Sequence, residues 1–587
     1  MKRKFVLLLT IAMQQALLFA QTNPLVKYLP DNTSMVISFN PVSLTKKIPG
    51  ETFRQSAVYR EMMKKDSTEV MAFLSTPSVS GIDFSNDLLI AFTTGATEEQ
   101  PKMSVHLFGS IKNEALFAIS MKKMAKKTDS VKIYGTDKIL YKENGSPSIA
   151  WNNSVFVINL NSGSAMTAVS VPYNDTATQE EYNRAVQRAT EKMMKAQRNL
   201  CFELLTQKQK KIFGADSRFI NQMSAAGDIK IWSNGMQSPL AGRIFGLAGL
   251  NKLQTPAGGS KTSSINFENG KIVMQSNSYP DEAVTAVYKK YPTTPVNTDL
   301  SRRLPKGKLL GLISTSYNPE MAMELMQKSG LKEMVAEMKG KMPFDLNLIT
   351  ASFGNNMMLA VIKSDDISSE DSLTRSIDGI KLLLAMPIAD KVKFDEMRKS
   401  VHHLWDSLKN GESGGKMMKE LNPFIKYNDT LFVLSLSPDV ATAFLNNTGT
   451  EPVPDWLQSK SQYPMLININ MKEIIKMVLG KKMAGKNGQD EQKLMDMFDQ
   501  VIMYGGNYEN ESMNTTMEFK FSNQNENALK QLFDIVNMIA GKNKNAVMNQ
   551  EKNAKMDSVR LEKTEQVNGD KMPPPPPSKK SLKNNSM

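Results

Sequence analysis

The feature that most constrains this fold is that one stretch of sequence occurs twice. Residues 151–160 read WNNSVFVINL, and residues 427–436 read YNDTLFVLSL. Three landmarks recur in the same order at an offset of 275 to 277 residues: Leu29-Pro30 with Leu304-Pro305, Ile111 with Ile388, and Trp151 with Tyr427. Ordered self-similarity at this spacing indicates a duplication rather than a short repeat period. The chain is therefore predicted to contain two tandem similar lobes.

Each copy carries signals for both strands and helices. After Leu-Pro comes a short apolar run, SMVISF in the first copy and LLGLIS in the second, which is typical of a strand. Asn40-Pro41 and Asn318-Pro319 then supply an N-cap and a proline at the first helical position. Pro49-Gly50 is expected to end the first of these helices. Because hairpins imply antiparallel pairing, the fold class is predicted to be α+β, each lobe being an antiparallel sheet covered by helices.

The duplicated stretch is predicted to contain the second arm of a hairpin. Asn152-Asn153 and Asn428-Asp429 lie between apolar runs, and Asn and Asp tolerate the left-handed backbone that a two-residue hairpin turn requires. A further strand pair is predicted over residues 348–362, where Asn355-Asn356 would form the tight turn. These patterns describe an architecture and indicate no reaction.

Composition and spacing divide the chain into parts. Its 587 residues exceed what one hydrophobic core usually serves. We assign residues 21–300 to the first lobe and 301–540 to the second. The first lobe holds an amphipathic helical insertion at about 178–212, interpreted as a helix lying across the sheet, with a coiled arm as the alternative. Residues 541–587 contain ten basic residues, five acidic residues and the run PPPPP, and are predicted to form a disordered basic tail.

The first residues predict export. Residues 1–20 combine a basic start, an apolar stretch and Ala20 at a cleavage position, which is the pattern of a signal peptide. No cysteine follows the apolar stretch, so no lipid anchor is predicted. No later stretch is long and apolar enough to span a membrane, so the mature chain is expected to have no transmembrane span. The predicted location is the periplasm or the cell surface.

A recurring triplet supports the same location. Asp-(Ser/Thr)-aliphatic occurs six times, where average residue usage predicts roughly one or two. The triplet resembles the O-glycosylation signal of exported Bacteroidetes proteins, although Asp-Ser and Asp-Thr are also common in turns and caps. The candidate acceptors are Ser130, Thr176, Ser372, Thr430 and Ser558; a sixth triplet, at Asp406, lies in a helical pattern and is a weaker candidate.

The sequence offers little chemistry. One cysteine and three histidines leave no pattern for an internal disulfide or a structural zinc site, so no metal and no cofactor are predicted. The segment GESGG (411–415) matches G-x-S-x-G with Ser413 as nucleophile, but the strand and helix of a nucleophile elbow are missing around it. No Arg-rich stripe is interleaved with aromatic residues, so nucleic acid is not a predicted partner. The basic tail would either contact an anionic surface of the cell envelope or act as a solubilising terminus.

The duplication, the Leu-Pro strand start, the Asn-Pro helix start and the signal peptide together resemble an uncharacterised family of exported Bacteroidetes proteins, a domain of unknown function. The resemblance covers about residues 28–540 and implies no activity and no catalytic residues. Many members of that family are lipoproteins, and this chain lacks the cysteine they use. The sequence therefore predicts an exported, non-enzymatic binding or scaffold protein. Its alternatives are a carrier of an apolar ligand such as a lipid and, more weakly, a serine hydrolase that uses Ser413.

Overall fold

The computed structural model describes residues 23–62, 80–94, 103–124, 130–141, 149–160, 178–206, 217–234, 259–328, 346–363, 379–410, 424–448, 454–483, 492–493 and 496–540. The signal peptide (1–20), the tail (541–587) and four predicted site residues, Thr176, Ser372, Ser413 and Ser558, lie outside these ranges. Predictions that concern them stay predictions.

Eighteen strands are found in the described part of the chain, numbered here in chain order. They are β1 (Thr33–Phe39), β2 (Leu88–Thr94), β3 (Met103–Ser110), β4 (Ser130–Tyr134), β5 (Asp137–Tyr141), β6 (Ile149–Trp151), β7 (Val155–Asn159), β8 (Ile229–Asn234), β9 (Ser260–Glu268), β10 (Lys271–Tyr279), β11 (Lys308–Ser316), β12 (Asn356–Lys363), β13 (Ile380–Pro387), β14 (Phe424–Tyr427), β15 (Leu431–Ser435), β16 (Met465–Ile469), β17 (Phe498–Glu509) and β18 (Ser512–Phe521).

The helices are interspersed with these strands. They are α1 (Pro41–Lys47), α2 (Gly50–Arg54), α3 (Ala57–Met62), α4 (Glu114–Met124), α5 (Gln179–Thr206), α6 (Ser217–Ser224), α7 (Glu282–Lys290), α8 (Thr298–Arg302), α9 (Pro319–Lys328), α10 (Leu346–Ser352), α11 (Lys391–Asn410), α12 (Pro438–Asn446), α13 (Asp455–Ser459), α14 (Met471–Met483) and α15 (528–540). Among the described residues, none of these helices combines the length and the apolar character needed to cross a membrane.

All eighteen strands belong to one antiparallel sheet, which confirms the predicted α+β class. The pairings give the order β4-β5-β6-β7-β3-β2-β1-β8-β9-β10-β18-β17-β16-β11-β12-β13-β15-β14. The strands β10 and β18 meet at the centre. Read outward from that centre, the two sides follow the same chain order, except that the first side ends with the additional strands β5 and β4.

Helices cover both faces of the sheet. Face A is the face that carries Val36 in the first half and Leu312 in the second. It packs against the end of α5 and against α6 in the first half, and against α8, α12 and α13 in the second. Face B, the opposite face, packs against α4 in the first half, against α10 and α11 in the second, and against α15 near the centre.

The predicted helix starts are present. The Oδ1 atom of Asn40 accepts a hydrogen bond from the Ser43 N–H at 3.0 Å, and Pro41 is the first residue of α1. Asn318 likewise accepts from the Glu320 N–H at 2.8 Å. Helix α1 ends at Lys47, two residues before Pro49. A proline and a polar cap therefore set these boundaries locally, as expected from their chemistry.

Two local predictions are wrong. Residues 348–352 form part of helix α10 and not a strand, because Leu348 and Ile349 pack beside Phe353 against α11. Asn355 therefore lies between a helix and β12, and Asn356 is the first residue of β12. Among the described residues, the non-glycine positions with positive φ are Asn447, Asn510 and Glu511, so neither Asn152-Asn153 nor Asn428-Asp429 uses the left-handed backbone expected of it.

Candidate functional site

The structure describes two of the predicted glycosylation sites. Thr430 lies exposed in the turn between β14 and β15, next to the exposed Asp429, and its Oγ1 donates to the Asn428 Oδ1 at 3.1 Å. Ser130 is the first residue of β4. No group of three or more potential metal-ligating side chains is found within the described residues.

A buried histidine and the single cysteine lie in the core of the first half. The Nε2 atom of His106 is 3.4 Å from the Thr93 Oγ1, and burial lowers the pKa of His106 to about 4. Burial also raises the pKa of the Cys201 thiol to about 12. Both groups are thus neutral near pH 7, and a thiol protonated at that pH is a poor nucleophile. They serve as core residues and not as a cysteine–histidine pair for catalysis.

Asp228 is buried among three donors. Its carboxylate pairs with the Lys47 ammonium and accepts from the Ser43 hydroxyl, and the Phe267 N–H donates to it at 2.6 Å. Burial by itself raises the pKa of Asp228, but the Lys47 ammonium, the Phe267 N–H and the Ser43 hydroxyl together hold that pKa below its usual range. A carboxylate held in this way acts as a structural anion between α1, β8 and β9.

A second buried ion pair lies two residues further along the chain, on β8. The Lys230 Nζ is 2.8 Å from the Asp87 Oδ2 and donates to the Met223 carbonyl oxygen at 2.5 Å. The Ser38 hydroxyl donates to the same Asp87 oxygen at 2.7 Å. Each of these charged groups already has a partner inside the protein. This pair therefore offers no poised acid or base for a substrate.

The outermost described strand of the second half is different, because two of its apolar side chains are exposed. Strand β14 ends the sheet and pairs with β15, and no other described strand pairs with it. On its face B side, Ile425 is 43% exposed and Tyr427 is 37% exposed. An edge strand offers free backbone donors and acceptors to another chain. We call the strand β14 together with Lys391 and Arg398 the β14 edge.

Aromatic packing and cations hold the β14 edge in place. The Tyr427 ring lies 5.3 Å from the Phe394 ring of α11, which in turn contacts Phe432 at 5.9 Å. The Lys391 Nζ lies 5.0 Å from the Tyr427 centroid, and the Arg398 guanidinium carbon lies 5.4 Å from it. Cations over an aromatic face stabilise it and add positive charge to the surface.

One carboxylate accompanies these cations. The Lys391 Nζ is 3.0 Å from the Asp395 Oδ1, and the Arg398 Nε is 3.6 Å from the same oxygen. The hydrogen bond from Lys391 contributes most to holding the pKa of Asp395 below its usual range. Lys391, Arg398 and Lys426 of β14 itself are three cations against this one carboxylate, which leaves the β14 edge with two positive charges in excess.

At the opposite end of the sheet, a further strand lies on the outer side of β6. Strand β6 pairs with β5, which places Lys138 opposite Trp151. The Lys138 Nζ donates to the Glu114 Oε1 at 2.5 Å, and the Trp151 Nε1 donates to the same oxygen at 3.1 Å. The Lys138 ammonium is the main reason that the pKa of Glu114 lies below its usual range.

Sequence reasoning missed the β14 edge and both buried ion pairs. A signal for the edge does exist, because 24 residues separate α4 from β6, whereas 13 separate α11 from β14. The longer connection holds the extra hairpin β4–β5. The ion pairs leave no comparable signal, since their partners lie far apart in the chain.

Comparison with known proteins adds little. No family model matches the chain, and no curated protein matches it. Among solved structures, crystal form III of TP0453 is similar with a TM-score of 0.26 and 8% identity, covering 46% of this chain and 88% of that chain. Crystal form IV of TP0453 gives a TM-score of 0.27 and 9% identity over 46% and 87%. Likeness at these TM-scores supports no statement about the fold or function of this chain.

Proposed function

We propose that this protein is an exported, non-enzymatic binding or scaffold protein in which two similar lobes join their sheets and the β14 edge is a binding surface. The observation that carries the proposal is an outermost strand with exposed Ile425 and Tyr427, flanked by cations. A strand of this kind is suited to recruiting another chain through its backbone.

The two-lobe part of the proposal is supported by matching backbone hydrogen bonds. Pairs at equivalent positions have similar lengths: Asn152 N to Val155 O with Asn428 N to Leu431 O (3.0 and 3.0 Å), Ile111 N to Ser154 O with Ile388 N to Thr430 O (2.7 and 2.8 Å), Asp83 N to Ser110 O with Gly354 N to Pro387 O (2.8 and 2.8 Å), and Asn40 N to Asp228 O with Ser316 N to Pro464 O (2.9 and 2.7 Å). The equal chain order on the two sides of the sheet points the same way. A duplicated lobe accounts for both observations.

The exported location rests on sequence signals. The signal peptide 1–20 and the repeated triplets support it, and membership of the exported Bacteroidetes family remains part of the proposal. On this view Thr430 carries a glycan at an accessible turn, and the basic tail 541–587 contacts an anionic surface of the envelope. Intact-mass measurement of the protein from its native cells tests the leader and the glycans together. A mature chain that retains residues 1–20 would contradict export. A Thr430→Ala variant whose mass falls only by the difference between threonine and alanine would exclude a glycan at that residue.

The binding surface is tested by photocrosslinking in native cells. A photoreactive amino acid at Ile425 is expected to give discrete crosslinked products. The same amino acid at Val392, which is 78% exposed on neighbouring α11, is the matched control. Crosslinks that are equal at the two positions, or missing at both, would contradict a binding surface at β14. Both variants must unfold at the same temperature as the wild type, which establishes that they are folded.

A second candidate function is the carriage of an apolar ligand. It is favoured by Ile313 and Ile469, which lie on adjacent strands on face B and are 36% and 37% exposed. Solvent extraction and mass spectrometry of the purified protein test this function. If the wild-type protein contained no more extracted lipid than an Ile313→Ser variant, the carriage of an apolar ligand would be excluded. The Ser413 hydrolase remains a sequence prediction, to be tested with Ser413→Ala.

A further inference from the structure

We propose that the β14 edge binds an extended strand of a partner protein, antiparallel to β14, with an apolar residue opposite Ile425 and an acidic residue opposite Tyr427. This inference rests on the proposed function and specifies its partner. Strand addition of this kind takes affinity from backbone hydrogen bonds and specificity from the alternate side chains.

The protein itself contains a precedent for this geometry. In the first half, β5 lies antiparallel on the outer side of β6, with Lys138 opposite Trp151 and Leu140 opposite Ile149. Strand β6 is joined to β7 as β14 is joined to β15. The face B side chains of β6 are buried under this arrangement, whereas those of β14 remain exposed.

Register assigns the equivalent residues. Trp151 pairs with Phe156 on β7, and Tyr427 pairs with Phe432 on β15. Two residues further along each strand, on the same face, Ile149 lies opposite Ile158 and Ile425 opposite Leu434. Trp151 is therefore equivalent to Tyr427, and Ile149 to Ile425. The helices that precede these strands in the chain, α4 and α11, begin at Glu114 and Lys391, which we take as a third equivalent pair.

The charge at this position is inverted between the two halves. In the first half the Glu114 carboxylate receives Lys138 from the covering strand. In the second half the Lys391 ammonium occupies the equivalent position above Tyr427, and Arg398 lies on the same ring. A covering strand with a lysine opposite Tyr427 would place like charges together. A glutamate or aspartate there would pair with Lys391 and offset the excess positive charge that Asp395 leaves.

This chemistry disfavours a second copy of the chain as the occupant. Among the described residues, the edge strand at the opposite end of the sheet is β4, whose sequence SVKIY holds a lysine and no carboxylate. The proposal therefore commits to a different protein with an acidic, alternately apolar strand. Self-association through β14 would contradict it and would appear as a concentration-dependent mass in light scattering that Ile425→Lys abolishes.

The test uses the hairpin of the first half as a probe. The full-length protein is titrated against two labelled peptides of residues 130–141, one with the native sequence and one with Lys138→Glu, and binding is followed by fluorescence anisotropy. The Lys138→Glu peptide is expected to bind about fivefold or more tightly than the native peptide at low salt. In the Lys391→Glu protein the preference is expected to reverse. Lys393→Glu makes the same charge change on the same helix and is expected to keep the original preference.

Two results would overturn the inference. One is equal affinity for the two peptides or no binding of either. The other is a preference that Lys391→Glu leaves unchanged, because it would show that the peptide exchanges with the β4–β5 hairpin of the first half instead. Circular dichroism of each variant establishes that it is folded. If either result were found while photocrosslinking at Ile425 still gave discrete products, only this partner would be rejected and the proposed binding surface would stand. If photocrosslinking at Ile425 gave no discrete products, the proposed function itself would be rejected.

Discussion

At the residue scale, core positions that match by strand register on the two sides of the sheet differ in charge. The register that places Lys230 opposite Ser38 in the first half places Leu466 opposite Ser314 in the second. By the same register, Asp87 corresponds to Asn356, which accepts from the Asn297 N–H at 2.9 Å. The second half therefore serves as a natural reference in which the ion pair is replaced by neutral side chains.

That reference gives a stability prediction. Lys230→Leu leaves the Asp87 carboxylate without its cation and is expected to lower the free energy of unfolding by about 3 kcal/mol. The double variant Asp87→Asn/Lys230→Leu reproduces the pair found in the second half and is expected to recover to within about 1 kcal/mol of the wild type. Urea denaturation measures both. A double variant no more stable than the single one would show that the ion pair is needed for more than mutual neutralisation.

His106 predicts a pH dependence of stability. Its pKa is about 4 in the folded protein and near 6.5 in the unfolded chain. Because the unfolded state binds the proton first, the contribution of His106 is fully present above pH 6.5 and is lost as the pH falls toward 4, by about 3 kcal/mol in all. Urea denaturation between pH 7 and pH 4 is expected to show this slope, and His106→Leu to remove it.

The second half supplies the converse variant. His106 lies opposite Asn159, and Leu383 lies opposite Ser435 at the equivalent position. Leu383→His buries a new imidazole and is expected to add a slope of the same sign. If the free energy of unfolding of His106→Leu changed with pH as it does in the wild type, other groups would be the cause of the pH dependence. Asp228 is one such group, and its lowered pKa affects stability at more acidic pH.

At the element scale, the hairpin turns of the duplicated stretch are closed by side-chain hydrogen bonds instead of a left-handed backbone. In the first hairpin the Asn152 Oδ1 accepts from the Ser154 N–H and from the Val155 N–H, both at 3.0 Å. In the second, the Asn428 Oδ1 accepts from the Thr430 N–H at 2.9 Å. The amide thus closes each turn as an Asx turn, so no left-handed residue is needed. Asn152→Ala and Asn428→Ala are each expected to lower the free energy of unfolding by about 1 kcal/mol, measured by urea denaturation.

The turn between β17 and β18 does use the left-handed backbone. Asn510 has a φ of 49° and Glu511 a φ of 61°. Because glycine adopts this conformation without steric cost, Glu511→Gly is expected to raise the free energy of unfolding by up to about 1 kcal/mol. Asp429→Gly is the matched control, and it is expected to give no gain because Asp429 does not have a positive φ. Equal effects of the two substitutions would contradict this assignment.

At the scale of the whole molecule, the last helix of each half also contacts a helix of the other half. Helix α15 follows β18, yet Phe533 contacts Phe53 of α2 at 6.0 Å and the Asn537 Oδ1 accepts from the Ala57 N–H at 2.5 Å. In the other direction, α7 follows β10 and its Lys290 pairs with Glu324 of α9 at 2.9 Å. Together with the β10–β18 pairing, these contacts link the halves into one structural unit.

A pair of truncations tests that unit. Ending the chain after residue 527 removes α15 and exposes the apolar side chains beneath it, so the free energy of unfolding is expected to fall by at least about 3 kcal/mol. Ending it after residue 540 removes the predicted tail alone and is expected to leave thermal unfolding unchanged. If removal of residues 541–587 destabilised the protein as much as removal of α15, the prediction of a disordered tail would be wrong.

The sequence by itself determined the local elements whose causes lie within a few residues. Asn40-Pro41 began α1, Pro49-Gly50 separated it from α2, and the asparagines of the duplicated stretch marked two hairpins. Such signals act through φ, side-chain caps and alternation, which depend on near neighbours alone. The α+β class followed from them.

Only the tertiary structure decided which distant strands meet and what remains uncovered. The pairing of β10 with β18 joins residues more than 230 positions apart, and α10 is a helix because its apolar side packs against α11. The ion pairs of Asp228 and Lys230 depend on the same long-range packing. Burial of a face is a property of all the elements around it, so no short stretch of sequence could show that β5 lies beyond β6 whereas β14 is the last strand at its edge among the described residues.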